Sequence, residues 1–416
     1  MLFPGRRATI ALCVLFLAAC SYSSHLGIRQ HLHSKESRTT LIAQLEEEDS
    51  KQIDDVVRLL NLGMVYRLDG QYHQSIGKWE AAKRIIQEQR AASITEGITS
   101  FFVNNTTESF SPNATEEQNL HILQAANFLD LGKPDGARVE ILQREQLIKE
   151  YPPELRYPFA DYFAGMVFEL NHEPDQALVS YRRAFKEYAR AGAGAPEALL
   201  RDYARLLDYL GERGELEALL QNRQIDYPKE RPNLTILVAH GLAPEKVENR
   251  FMHFSNRYNN SFSIVLPAYP PSQPYVPAGL SINGAEQALA RVSNIDAMVR
   301  YELSLSQDSL LAQAIIRQVA KRGIATAIAG AAANDRDSRG GFSPSDLLVF
   351  ALSEALVHAT ESADLRSWNS LPAGIDIYRA HHKPGSYLIS SPNTQPITVE
   401  LQHAAQVLRL VHQPDA

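Results

Sequence analysis

The sequence is poor in the devices that brace small secreted proteins or bind metals. Its 416 residues include two cysteines, Cys13 and Cys20, too few for a disulfide framework or a multi-cysteine zinc module. Positive charge is not in excess. Lys and Arg number 41 against 48 Asp and Glu, a formal net charge of -7, which argues against nucleic acid as a ligand. The catalytic signatures are missing as well. There is no HExxH, no P-loop, no G-x-S-x-G elbow and no dinucleotide fingerprint. No cofactor, metal ligand or catalytic residue is therefore assigned, and the chain is expected not to be an enzyme. What is present is ordinary: 44% hydrophobic and 21% charged residues exclude disorder throughout and suit two or three globular domains.

The N-terminus sets the expected compartment. Arg6 and Arg7 precede Ala8 to Ala19, an apolar run shorter than the ~20 residues a spanning helix needs. A basic start followed by such a run is a secretory signal. It ends Leu17-Ala18-Ala19-Cys20, which looks like the lipobox of bacterial lipoproteins, with Cys20 as the residue that receives the acyl chains, palmitate among them. Residues 1–19 are then a signal peptide and 20–40 a polar, His-rich tether. Ser21 after the cysteine favours the outer membrane, so the expected location is its periplasmic face.

Residues 41–230 read as helical repeats. In LLNLGMVYRLDGQYHQSIGKWEAA, Leu59, Leu62, Gly63, Tyr66, Gly70, Tyr72, Ser75, Ile76, Trp79 and Ala82 fall at tetratricopeptide spacing. Small Gly63 and Ser75 mark a helix crossing, Leu62, Tyr66, Ile76 and Trp79 fill it, and Gly70 makes the turn. The frame returns with Ala125, Phe128, Gly132, Ala137 and Ile141. It returns again with Gly165, Phe168, Ala177, Leu178, Tyr181 and Ala184. Leu199 to Leu220 is a degenerate pair that caps the array. The long Ser/Thr/Asn-rich loop carrying Phe101, Phe102 and Phe110 is a candidate contact.

After Tyr227 the texture changes to α+β. Leu234 to Ala239 is a buried strand by length, and Phe262 to Leu266 is another. Asp308 to Ala333 is helical, and Ser343 or Ser345 can cap a helix to about Thr360. Ile375 and Ile377, a Pro384-Gly385 turn, then Tyr387 and Ile389 predict a hairpin. Ile397 to Leu401 and Val407 to Val411 add strands. The fold class is thus a tetratricopeptide-like helical repeat domain followed by an α+β domain, residues 231–416.

This combination resembles an uncharacterised Gram-negative family of tetratricopeptide outer-membrane lipoproteins. The residues that carry the resemblance are Cys20, the segment Gly132 to Glu140, Gly241 to Lys246, Asp364 to Trp368 with Leu371-Pro372, and Gly385. It implies an envelope location and a repeat scaffold, and it transfers no catalytic residue. The expected role is a lipid-anchored scaffold or adaptor in envelope assembly or maintenance. It would bind a partner's peptide or helix in the repeat groove, with the membrane reached through lipid and no nucleic acid involved. The alternative is a C-terminal half that binds cell-wall carbohydrate or acts as an envelope enzyme. Asp364, Arg366 and Trp368 are its candidate subsite. On an extended segment they share a face, where Asp364 pairs with Arg366 and Trp368 covers the guanidinium, or else they staple the last helix to the hairpin. His381 and His382 are adjacent and point apart on a strand, so joint ligation is not expected. Lys246 reads as a turn residue.

Overall fold

The computed structural model describes residues 26–47, 55–95, 110–221, 223–255, 260–333, 362–402 and 406–413. Cys20, Phe101, Phe102, Ser343 and Ser345 lie outside the described residues.

The first half is built of helical hairpins. Helices α1 (Leu26–Gln30) and α2 (Lys35–Glu47) precede α3 (Asp55–Leu68) and α4 (Tyr72–Thr95). Then come α5 (Ala114–Asp130), α6 (Pro134–Leu147), α7 (Pro158–Leu170), α8 (Pro174–Arg190), α9 (Glu197–Leu210) and α10 (Arg213–Leu220). Proline opens α6, α7 and α8, where its missing N–H would have had no partner anyway. Asn113 and Glu116 close a reciprocal capping box on α5. Gly70, Gly132, Gly192 and Gly211 take left-handed backbone at inter-helix turns, and His172 takes the same conformation between α7 and α8, with φ 59°.

Three of the hairpins close over a glycine. A Cβ added at Gly63 would fall inside 3.0 Å of the Trp79 indole, and one at Gly165 inside 3.0 Å of the Tyr181 ring. The second hairpin reverses the arrangement: Gly136 on its second helix receives Phe128 from its first. Leu62, Trp79, Ala82, Ala125, Ala137, Ala177, Tyr181 and Ala184 are buried at these crossings, Tyr66 is nearly so, and Ile76 is half-buried.

Residues 26–40, expected to be part of a polar tether, belong to the folded body. From Leu26 the chain is helical, and Ile28, Leu32, Leu41 and Leu45 are buried on the body. Arg38 pairs with Asp69 at 2.6 Å. The polar, His-rich composition masked these apolar positions, which recur at helical spacing.

The second half contains β1 (Leu234–His240), β2 (Val247–Ser255), β3 (Asn260–Ala268), β4 (Ser281–Ile282), β5 (Ala285–Glu286) and β6 (Ala290–Asn294). The long helix α11 (Ile295–Ala333) follows, then β7 (Gly374–Ala380), β8 (Gly385–Ser390), β9 (Ile397–Leu401) and β10 (Val407–Gln413). One sheet has the order β10-β1-β7-β6, with β1 parallel to β10 and antiparallel to β7. A second has the order β5-β4-β8-β9 and is antiparallel. β2 and β3 form a separate hairpin, with α11 against β3.

The hairpin expected around Pro384-Gly385 does not form. β7 and β8 belong to different sheets, and the chain crosses between layers there. Ile375 and Ile377 share the core of the helices, whereas Ile389 packs with Val399 and Leu401. The two strands thus bury their apolar residues in different cores.

β1 explains its own apolar run. Leu234, Ile236 and Val238 pack with the second sheet, while Leu237 and Ala239 pack toward the helices. A strand covered on both faces reads as continuous hydrophobicity. The layers are therefore outer helices, inner helices, first sheet and second sheet. The halves expected as separate domains, 41–230 and 231–416, share one core: Leu237, Ile375, Ile377, Leu408 and Leu410 belong to the same cluster as the residues of α3, α5 and α7.

Candidate functional site

The concave groove of the repeats was the expected binding site. The chain fills it with its own second half. α3, α5 and α7 are buried nearly all round, and α9 over most of its length. Ser370 donates to Asn61 Oδ1 through its backbone N–H (3.1 Å) and its hydroxyl (2.7 Å). Trp368 meets Trp79 edge-on at 5.8 Å, and its backbone N–H donates to Glu116 Oε1 at 2.8 Å. Arg67 donates to Leu410 O and pairs with Asp130. A partner peptide lying in the repeat groove is thereby corrected: the first sheet already occupies that face.

The seam is held by a charge cluster. Arg379 on β7 reaches Glu169 on α7 at 2.7 Å and Asp202 on α9 at 2.9 Å. Arg205 also pairs with Glu169. Tyr181 donates to Glu169 at 2.6 Å, and Tyr162 donates to Asp202 at 2.7 Å. Burial pushes both carboxyls up; Arg379 and Arg205 bring Glu169 below its ordinary value, whereas burial prevails at Asp202.

The structure separates the members of the Asp364–Arg366–Trp368 motif. Arg366 forks onto Asp364 at 3.0 and 2.8 Å, and its guanidinium lies 5.9 Å from the centroid of Phe110. Trp368 does not cover it. That indole is buried and donates to Ser370 Oγ at 3.0 Å. Phe110, expected as an exposed contact, is 2% exposed. Lys246 is more than a turn residue: its Nζ donates to Arg366 O at 3.0 Å.

Asp364 and Lys246 instead border a cleft of about 640 Å³ at the seam. Val265, Leu266 and Tyr269 from the β3 side and Val299, Leu303 and Leu310 from α11 supply its apolar walls. The N-terminus of α5 forms its floor. Glu302 of α11 accepts from the N–H groups of Ala114 (2.7 Å) and Thr115 (3.0 Å), so a carboxylate sits at the positive end of that helix. Burial raises the pKa of Glu116, against the pull of Lys246 and the N–H of Trp368. The sequence signal for this cleft was weak, because its walls come from distant segments, and Phe110, Lys246 and Asp364 had been singled out separately and not as one site.

A second, more polar cleft of about 530 Å³ opens at the end of β1. There Asp376 accepts from the Tyr275 hydroxyl (2.8 and 2.7 Å) and the Ala278 N–H (3.0 Å), with His240 Nε2 3.5 Å away. Burial pushes the Asp376 carboxyl up. The approach of His240, the Ala278 amide and the Tyr275 hydroxyl outweigh this and hold its pKa below the ordinary value. Both oxygens are thus engaged, and the group fixes the proline-rich loop to the sheet. Gly374 is small because a Cβ there would press on the His240 imidazole and Ser293 O.

His381 and His382 follow β7 and diverge. His381 Nδ1 lies 3.0 Å from Arg231 O, and His382 Nε2 lies 2.9 Å from the Tyr378 hydroxyl. Among the described residues no group of three or more His, Cys, Asp or Glu side chains could hold a metal ion, and no helix is long and apolar enough to cross a membrane.

No protein-family model and no curated protein matches the chain. Among solved structures it is similar to the crystal structure of MamA at 13% identity, over 45% of this chain and 86% of that one, with a TM-score of 0.31. It is also similar to the apo form of RapI at 13% identity, over 45% of this chain and 60% of that one, with a TM-score of 0.34. Likeness at these scores carries no argument, and the tetratricopeptide-like character rests on the glycine-centred hairpins themselves.

Proposed function

We propose that the protein is a lipid-anchored scaffold of the cell envelope, held through Cys20 at the periplasmic face of the outer membrane. Its protein partners bind at the seam cleft rather than in the repeat groove. The lipobox and the repeat frame support the address and the scaffold role. The observation that carries the docking site is the apolar cleft bounded by α5, β3 and α11, which continues onto exposed Tyr301 and Leu305 of α11. Its walls suit the apolar face of a partner helix, with Lys246 and Asp364 at the rim for polar orientation. Both halves build it, so only the docked chain presents it.

A photo-crosslinking residue at Leu305 tests this in intact cells. The expected result is one discrete adduct, lost when Leu303→Asp is added at unchanged melting temperature. An adduct from a probe at Val139 on the outer helices, with none from Leu305, places the contact elsewhere.

A further inference from the structure

Residues 268 to 283, AYPPSQPYVPAGLSIN, carry no charged side chain. Within them Pro270 to Pro277 are all exposed, Val276 to 56% and Tyr275 to 39%. The loop is nonetheless fixed. Tyr275 is tied to Asp376, Ser272 donates to Asp296 at 2.6 Å, Arg300 donates to Pro270 O, and the Arg291 guanidinium lies 4.0 Å over the Tyr275 ring. Four of its eight exposed positions are proline and present no N–H, so half of the backbone donors that would need partners on leaving water are absent. An exposed apolar loop held rigid pays little ordering entropy on insertion.

Its place in the molecule says what it faces. The loop shares its cleft with Arg29 of α1, and Arg29 bonds Asn369 O and Ala243 O and pairs with Glu245 at 3.2 Å. α1 is thus docked beside the loop, and it begins at Leu26, six positions after Cys20. Six residues reach at most about 20 Å. Acyl chains on Cys20 would therefore hold this side of the protein against the bilayer.

We infer that the proline-rich loop is a membrane-interface contact, with Val276 and the flanking exposed prolines entering the headgroup–acyl boundary, Tyr275 bracing the loop from beneath and Arg291 beside it for lipid phosphate. This inference rests on the lipid-anchor reading. It gives the anchored protein a fixed orientation, with α1 and the 270–277 loop toward the membrane.

The test is fluorescence quenching with the full acylated chain in phosphatidylethanolamine–phosphatidylglycerol vesicles containing brominated phospholipid. The native tryptophans are Trp79 and Trp368, both buried, so they form the background. V276W is expected to lose at least about half of its added emission, whereas V139W on α6 loses none. A V276D chain without acylation should show about tenfold weaker vesicle binding than its parent, the worth of one buried valine. If V276W co-sediments with vesicles but is not quenched, the loop contact is overturned and the anchor stands. If the chain carries no acyl group and does not co-sediment, both fall. Emission that follows protein concentration and not lipid would replace the bilayer with a second copy.

Discussion

The inner and outer helices of the array come from the same repeat frame but live in different surroundings. The outer helices α4, α6 and α8 keep one face in water and show an ordinary apolar stripe. The inner helices α3, α5 and α7 bury nearly every side chain, polar ones included: Asn61, Arg67, Gln118, Asn119, Asn127, Asp161 and Glu169 are all shielded from solvent. In an open array such residues would be the solvated lining of a ligand groove. Here most of them bond to neighbouring helices or to the second half, whereas Asn119 donates to Thr115 O of its own helix. Polar residues on an inner face therefore do not by themselves mark a ligand site; they equally mark a seam within one chain.

The largest effect should come from breaking that seam. Arg379→Met leaves Glu169 and Asp202 buried with only Arg205 between them, and removal of one partner from a buried ion cluster costs about 3–5 kcal/mol. Urea unfolding should show this as a loss from a single transition. Adding Asp202→Asn, which leaves Arg205 paired with Glu169 and no surplus buried charge, should restore part of it. Two transitions, with the helical one unmoved by Arg379→Met, would show that the halves are independent domains after all.

A smaller pair of effects separates the crossings from the water-facing side by sign. Gly63→Ala and Gly165→Ala place a methyl against Trp79 and Tyr181 and should cost about 1–3 kcal/mol each. Gly77 sits within α4 with nothing near its missing Cβ and without left-handed backbone, so Gly77→Ala should stabilise by about 0.5–1 kcal/mol. Thermal melts of the three variants decide it. A stable Gly165→Ala would mean that the helices do not cross where the spacing puts them.

Legibility in the sequence follows the range of the interactions. The hairpins were readable because Gly63 with Trp79, and Gly165 with Tyr181, are short-range pairs within one motif. The run Leu234 to Ala239 was readable as a buried strand, but not what covered its two faces, since those residues come from α3 to α7 and from β8 and β9. The partition of β7 and β8 between sheets was invisible for the same reason: a Pro-Gly turn between two alternating segments is equally a hairpin and a crossover. At the candidate site the sequence offered Asp364, Arg366 and Trp368 as one unit. Structure divides them, because Trp368 fills a hole beside Trp79 that only the folded array creates.

The smallest expected effect tests whether the outer face is mere solvent boundary. Val139, Leu142 and Val179 stand exposed on α6 and α8, at 49%, 41% and 48%. Replacing Val139 and Val179 by Ser removes little buried area, and surface changes of this kind stay within about 0.5 kcal/mol. Val167 on α7 is fully buried, and Val167→Ala should cost on the order of 1–3 kcal/mol through the cavity it leaves. The contrast between valines one helix apart is the sharpest form of the inner–outer difference, because residue type and secondary structure are held fixed. If Val139→Ser destabilised as much as Val167→Ala in urea unfolding, α6 would have to be covered, and the outer face would be an assembly surface of the protein rather than its boundary with water.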